Sequence, residues 1–147
     1  MRAVVTRVRE ASVAIDGQVT AHIGKGLLVL LGVHRDDGEA QARKIADKLC
    51  GLRIFEDEAG KMNISPEAAG AELLIVSQFT LFADCRSRRP GFTAAARPDT
   101  AIPLYELVIE QCRAAGFHVE TGEFGAEMLV SSDNDGPVTI LLDTEDL

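Results

Sequence analysis

An apolar run that passes directly into a polar motif is the feature that most constrains how this chain can fold. Residues Leu73–Val76 are uninterruptedly apolar, Ser77–Leu81 read Ser-Gln-Phe-Thr-Leu, and an arginine-rich segment at 86–89 follows shortly after. A continuous apolar run bounded by polar chain predicts a buried strand. Because rigid elements hold reactive groups most accurately, we expect this strand to bring the polar side chains and backbone N–H groups of the motif to one place.

The other predicted strands make this a mixed α/β chain. They lie at residues 2–9, 27–33, 53–55, 117–121, 126–131 and 138–142. A hairpin is also predicted at residues 12–23, because Asp16-Gly17 is a favoured two-residue turn. No segment repeats another and no linker is visible, so residues 1–147 are predicted to form a single domain.

Two segments have apolar residues at helical spacing and predict amphipathic helices. The first runs from about Gly38 to Leu52, with Asp36 and Asp37 as candidate caps. The second begins near Asp99 or Thr100 and ends at Gly116. Within it, Pro103 is expected in the first turn, where N–H groups lack partners within the helix.

Size and composition favour an ordinary globular protein. The chain has 147 residues, a common size for one domain. No stretch reaches the roughly 18 apolar residues of a transmembrane helix, and the first residues lack the apolar core of a signal peptide. We therefore expect a cytoplasmic protein that does not act at a membrane. Cys50, Cys85 and Cys112 show no CxxC spacing, which opposes a disulfide framework or a zinc site.

The charge distribution is uneven. The net charge of −8 opposes nucleic-acid binding over the whole surface. Residues 84–97, however, carry four arginines against one aspartate, a net +3 that leaves −11 for the rest of the chain. Arg86, Arg88 and Arg89 are thus candidates for binding a polyanion at one place. A solvated loop that happens to contain arginines is the alternative interpretation.

Familiar catalytic signatures are absent from the sequence. There is no GxSxG, no HExxH and no histidine pair at metal-ligand spacing. Neither a metal nor a cofactor is therefore expected, and catalysis would depend on backbone groups and on the substrate. A second motif, Asn134–Thr139, contains Gly136-Pro137, where glycine permits close approach and proline fixes the backbone. By itself this segment is equally consistent with a plain turn.

The two motifs together resemble the D-aminoacyl-tRNA deacylase family. Ser-Gln-Phe-Thr-Leu at 77–81 and Asn-x-Gly-Pro-x-Thr at 134–139 occur in the family's order. The likeness extends over essentially the whole chain and includes the segments 26–33 and 60–63. It implies the fold of that family, of α+β type: a mixed, strongly curved sheet that forms a partial barrel, with two main helices packed on it.

The resemblance also implies a homodimeric proofreading enzyme with aminoacyl-tRNA as its partner. Such an enzyme hydrolyses the ester between a D-amino acid and the terminal adenosine of the acceptor end. Gly136 and Pro137, joined by a cis peptide in this family, would reach into the partner's site, hold the amino group and exclude an L side chain. The other implied site residues are Ser77, Gln78, Phe79 and Thr80 at the ester, Asn134 and Thr139 around Gly-Pro, and Phe124 and Met128 at the adenine.

Several alternatives stay open at the level of sequence. Thr80 could act as nucleophile, although no histidine or amine lies beside it, or it could position the substrate while water attacks. Phe124 and Met128 could equally be core residues. A non-catalytic module that binds RNA ends or nucleotides would bind phosphate with the same arginines and stack Phe79 on a base. A general ester hydrolase would use Thr80 or Cys85.

Overall fold

The computed structural model describes residues 1–147. A mixed β-sheet forms the centre of the fold. The strands, in chain order, are β1 (Arg2–Ile15), β2 (Gln18–Ile23), β3 (Gly26–Gly32), β4 (Phe55–Glu56), β5 (Met62–Ile64), β6 (Glu72–Ser77), β7 (Val119–Thr121) and β8 (Leu129–Asp143). Two helices, α1 (Glu39–Gly51) and α2 (Pro98–Ala114), accompany them. Neither helix is long and apolar enough to cross a membrane.

The main sheet curls towards a barrel. Its strands follow the order β2-β1-β3-β6-β7, and β8 pairs with the opposite edge of β1. The β3–β6 and β6–β7 pairs are parallel and the others are antiparallel. Although β2 and β7 lie at opposite ends of that order, they contact each other. This mixed, strongly curved sheet with two helices confirms the predicted architecture. A separate hairpin is formed by β4 and β5.

The two central strands are buried on both faces, which explains their continuous apolar sequence. Leu27 and Leu73 belong to a cluster of 25 buried residues between the sheet and the helices. Their neighbours Leu28 and Leu74 belong to a second cluster of eight on the other face. Each fully buried leucine contributes roughly 1.5–3 kcal/mol by leaving water. The strand that leads into the motif is therefore among the most firmly held parts of the chain.

Both helices are capped at residues other than those predicted. Gly38, rather than Asp36 or Asp37, is the N-cap of α1. The carboxylate of Asp37 instead accepts hydrogen bonds from the amino group of Met1 and the backbone N–H of His34. Helix α2 starts at Pro98, because proline is preorganised for the first helical position. Pro103 consequently lies inside the helix and not in its first turn, so that prediction was wrong.

Two cysteines pack where the helices meet. The sulfur of Cys50 lies 3.8 Å from that of Cys112. The contact with Cys50, together with burial, raises the pKa of the Cys112 thiol. Cys85 is exposed.

Strands β1 and β8 are longer than predicted, and their pairing contains a large bulge. The segments 126–131 and 138–142 were predicted as separate strands around a turn, whereas β8 runs continuously from Leu129 to Asp143. Its partner β1 also continues through the predicted break into the hairpin, where Asp16 and Gly17 both have positive φ. The register passes from Thr6 opposite Thr139 to Val8 opposite Asn134. Residues 135–138 therefore bulge outward opposite Arg7 alone.

Candidate active site

The polar motif lies where β6 ends and the chain turns back over β3. Ser77 is the last residue of β6, and Phe79–Phe82 form a 3₁₀ turn. The N–H of Gln78 donates a 2.8 Å hydrogen bond to the carbonyl of Leu31. Gly32 leaves room for this turn, since a Cβ there would lie 2.9 Å from the Gln78 carbonyl oxygen. The motif is thus seated on the end of β3 and not on an extended strand through Leu81.

The side chains of the motif are connected to each other. The amide Nε2 of Gln78 lies 2.6 Å from the hydroxyl oxygen of Thr80. Ser77 and Gln78 are half-buried, whereas Phe79 and Thr80 are exposed. None of the turn, loop and cap hydrogen bonds uses the N–H of Phe79 or Thr80. The motif therefore offers solvent a hydroxyl and two candidate backbone donors on a rigid turn.

Tyr105 supports the motif from beneath the sheet. Its buried hydroxyl donates a 2.8 Å hydrogen bond to the carbonyl of Ile75, which also accepts from the N–H of Gly122 at 3.2 Å. Burial raises the pKa of Tyr105 to about 12, so the hydroxyl stays a donor at ordinary pH. This contact ties α2 and the chain after β7 to the strand that carries Ser77.

The two residues expected at the adenine lie beside β7. Phe124 is partly buried, and its ring centroid is 6.2 Å from that of Tyr105. Met128 is also partly buried and packs against the smaller core cluster. A Cβ on Gly122 would meet the Met128 sulfur at 2.6 Å, so this glycine lets the thioether lie close. Both side chains line the flank of β6 while contributing to the core.

The Gly136-Pro137 pair lies in the bulge of β8, and its peptide bond is cis. Both residues are exposed. Asn134 and Thr139 flank the bulge at the positions where regular pairing with β1 resumes. The side-chain oxygen of Asn134 accepts a 2.7 Å hydrogen bond from the hydroxyl of Ser132. The bulge thus projects from the edge of the sheet between two paired segments.

Arg7 holds the bulge from below, a role that the sequence-based prediction missed. Its Nε donates to the Asp135 carbonyl at 3.2 Å, and Nη1 donates to the Ile54 carbonyl at 2.8 Å. Its Nε also lies 3.5 Å from the Asp135 carboxylate, and only 6% of the Arg7 side chain is exposed. A buried charge requires such partners. The sequence did hold a signal for this role. Alternate residues Ala3, Val5 and Arg7 of β1 face inward, and Arg7 is the charged one.

One chain does not bring the two motifs together. In the register of the sheet, Ser77 lies level with Leu31 and Ala3, whereas the bulge lies opposite Arg7. In addition, β1 and β3 separate β8 from β6. Strand spacings of about 4.8 Å and rises of about 3.3 Å per residue put the motifs on the order of 20 Å apart along the sheet. The two motifs are therefore well separated within one copy of the chain.

The arginine-rich segment forms a closed loop next to the motif. Asp84 and Gly91 exchange backbone hydrogen bonds of 2.7 and 2.9 Å, enclosing residues 85–90. Arg86 is paired with Asp84, and its hydrogen bonds lower the pKa of that carboxyl group. Arg88 and Arg89 are exposed. Throughout the chain, no group of three or more His, Cys, Asp or Glu side chains is arranged to hold a metal ion.

Known proteins of similar sequence identify the family of this chain. The family model described as D-Tyr-tRNA(Tyr) deacylase matches residues 4–143. This chain belongs to that family. A relative from Symbiobacterium thermophilum, named D-aminoacyl-tRNA deacylase, is 57% identical over 99% of this chain and 97% of its own. One from Anaeromyxobacter dehalogenans with the same name is 58% identical over 100% of this chain and 99% of its own.

Solved structures show the same fold. One titled c-Myc DNA Unwinding Element Binding Protein is 39% identical to this deacylase-family chain, with a TM-score of 0.92 over 97% of this chain and 98% of its own. A second, titled as a probable eukaryotic D-amino acid tRNA deacylase, is 18% identical, with a TM-score of 0.81 over 96% and 97%. The deacylase family is a family of hydrolases, so the chain is an enzyme.

Proposed function

We propose that this chain is a chiral proofreading hydrolase, which cleaves the ester of D-aminoacyl-tRNA and rejects L-aminoacyl-tRNA. One observation carries the proposal: a hydroxyl-bearing motif and a rigid Gly-Pro bulge are both presented to solvent, but at separate places on one chain. The names of the relatives support the substrate class. The enzyme would act in the cytoplasm, where charged tRNA is used.

The site is completed by a second copy of the chain. The outer edge of β8 has no strand partner, and its surface exposes Leu129 and Leu141 to 70% and 77%. Exposed apolar side chains on an unpaired edge are typical of a surface covered by another molecule. In a two-fold dimer, the bulge of each copy would enter the site of the other. Gly136 and Pro137 would then lie opposite Ser77–Thr80 of the partner copy.

Hydrolysis in this site proceeds by attack of water on the ester carbonyl carbon. The carbonyl oxygen becomes negatively charged, and the N–H groups of Phe79 and Thr80 stabilise it. The bond to the ribose oxygen then breaks, and that oxygen takes a proton, which gives free tRNA and a free amino acid. Thr80 positions the reactants, and the neighbouring ribose hydroxyl assists the proton transfer.

Substrate groups on either side of the ester have their own contacts. The carbonyl oxygens of Gly136 and Pro137 bind the ammonium group, and Asn134 and Thr139 support the bulge. Phe124 and Met128 receive the terminal adenine, while Arg86, Arg88 and Arg89 contact phosphates of the acceptor end.

A deacylation assay with D- and L-aminoacyl-tRNA tests the proposal. The purified protein is expected to release D-amino acids much faster than their L counterparts. A module that only binds RNA ends would release neither. A general esterase acting through Thr80 or Cys85 would show little chiral preference. Either result would overturn the proposal.

A further inference from the structure

Two exposed phenylalanines lie together beside the motif. Of the six phenylalanines in the chain, only Phe79 and Phe92 are exposed, to 54% and 36%. Their ring centroids are 5.1 Å apart and their planes meet at 74°, an edge-to-face arrangement. Phe92 lies outside the motif, yet its ring joins that of Phe79. The pair is an exposed aromatic surface on a chain that otherwise buries or half-buries its aromatic side chains.

The aromatic pair stands at the base of the arginine loop. Asp84 and Gly91 close the loop immediately before Phe92, so the exposed Arg88 and Arg89 lie within a few residues of the ring. This is the positively charged part of a chain whose net charge is −8. Exposed aromatic rings next to clustered arginines form the combination that binds single-stranded nucleic acid, because bases stack on the rings while cations contact the phosphates.

We propose that Phe92 and Phe79 form a stacking platform for the penultimate base of the RNA 3′ end, next to the nucleotide whose ester is cleaved. The inference rests on the proposed function and names a specificity-determining residue, Phe92, within it. The occupant is an unpaired nucleobase, since the neighbouring charge is complementary to phosphate. A second copy of this acidic chain is the competing occupant.

The position of the platform explains why it takes the penultimate base. The proposed adenine contacts, Phe124 and Met128, lie on the β7 side of β6. The loop that bears Phe92 continues on the other side, where Ala96 donates a hydrogen bond to the carbonyl of Val33 just after β3. The motif lies between these two places. An RNA end with its terminal adenine on the β7 side thus directs its preceding nucleotide towards Phe92 and the arginines.

Kinetics on two substrates of different length test the platform. For Phe92→Ala, the ratio of the KM for D-aminoacyl-tRNA to the KM for the D-aminoacyl ester of adenosine is expected to rise about tenfold, because only the tRNA has a penultimate base. Phe92→Tyr should restore the ratio and Phe92→Leu should not. Val19→Ala, which trims a side chain that is 67% exposed on β2, is the matched control. An unchanged ratio would mean that Phe92 only supports Phe79.

A binding measurement keeps the test independent of catalysis. The chain contains no tryptophan, so Phe92→Trp introduces a single fluorophore at the platform. Titration with a single-stranded RNA oligonucleotide ending in CCA is expected to quench it saturably, whereas Val19→Trp should not respond. Equal responses of the two variants, or a change of oligomeric state in Phe92→Ala without a change in RNA binding, would refute the platform. Failure of the wild type to hydrolyse either ester would instead refute the proposed function.

Discussion

The side-chain amide of Gln78 donates a 2.6 Å hydrogen bond to the hydroxyl oxygen of Thr80. An amide is not a base at ordinary pH, so this contact orients the hydroxyl without removing its proton. Thr80 can then donate its own hydrogen to a substrate or water. The contact supports Thr80 as a positioning group more than as a nucleophile, which would need a base beside it.

Removal of the Thr80 hydroxyl should weaken turnover without abolishing it. We expect Thr80→Ala to lower kcat roughly 10- to 100-fold, because misplacement of a reactant has a cost of that order while the backbone donors remain. Thr80→Ser keeps the hydroxyl and is the matched control. Activity is measured by single-turnover deacylation of D-aminoacyl-tRNA. A trapped acyl-threonine, or a fall to the uncatalysed rate, would assign Thr80 as the nucleophile.

The arginine loop should control the affinity for tRNA and its salt dependence. Neutralisation of Arg86, Arg88 and Arg89 together is expected to raise the KM for charged tRNA and to flatten its dependence on salt, because fewer counterions are released. Since Arg86 is already paired with Asp84, the Arg88 and Arg89 double variant should show most of the effect.

A matched control for the loop uses basic residues elsewhere. Arg43 and Lys48 are exposed on α1. Their replacement by glutamine changes the net charge as much as the double variant in the loop does. If both double variants shift the salt dependence equally, the loop is an ordinary solvated segment.

Loss of Arg7 should loosen the Gly-Pro bulge. Arg7→Ala leaves one buried and one partly buried carbonyl group without their donor, and we expect it to lower the free energy of unfolding by about 2–3 kcal/mol. The selectivity for D over L substrates should fall as well. Arg9→Ala is the matched control, because Arg9 contacts the same Asp135 from a side chain that is 80% exposed. Chemical denaturation and the D/L rate ratio measure the two effects, and intact selectivity in Arg7→Ala would contradict the assigned role.

The close contact between the motif and the end of β3 depends on Gly32. In Gly32→Ala, the new Cβ would lie 2.9 Å from the Gln78 carbonyl oxygen and 3.0 Å from the Cβ of Leu81, so the turn must shift. We expect kcat to fall about tenfold or more, since small displacements of reactive groups have large effects. Gly51→Ala, where a Cβ meets nothing within 4 Å, should leave kcat unchanged. Wild-type kcat in Gly32→Ala would show that the turn adapts.

Periodicity predicted those parts of the fold in which burial follows a simple pattern. Leu27–Leu31 and Leu73–Val76 are apolar on both faces because helices cover one face and the curled sheet encloses the other. The helix caps were predicted less well. The carboxylate of Asp37 does not cap α1, because it pairs with the amino group of Met1. Local propensity cannot anticipate a partner that is 36 residues away.

The bulge and its support could not be predicted from local pattern. Asn134-Asp135-Gly136-Pro137 has the composition of a turn, and only pairing with the long strand β1 makes it part of β8. Arg7 was overlooked because its partners, Asp135 and Ile54, are distant in sequence. The proposal that Gly136 and Thr80 share one site does not follow from local pattern, because β1 and β3 separate β8 from β6 within one chain.

Selection against L substrates by the bulge should fail for an amino acid that has no side chain. Gly136-Pro137 is a wall of backbone, fixed by proline and held by Arg7. In the proposed site, such a wall would exclude an L side chain by occupying its space. Glycine has no side chain to exclude, so glycyl-tRNA should also be hydrolysed, while L-alanyl-tRNA and larger L substrates should not. Glycyl-tRNA left intact, or L-alanyl-tRNA cleaved as fast as its D counterpart, would show that selection does not work through this wall.

The same wall should act across the dimer, and a mixed dimer can show it. Gly136 has a φ of +123°, and a Cβ there would lie 2.8 Å from a methyl group of Val138, so Gly136→Ala should disrupt the bulge. A dimer of one Gly136→Ala chain and one Thr80→Ala chain has one site with both motifs intact and one with neither. We expect about half of the wild-type activity and full D selectivity, because a two-fold dimer has two equivalent sites. Differently tagged chains allow the mixed dimer to be isolated and compared with each mutant homodimer. If it is no more active than the average of the two homodimers, each chain uses its own Gly-Pro bulge and the shared site is refuted.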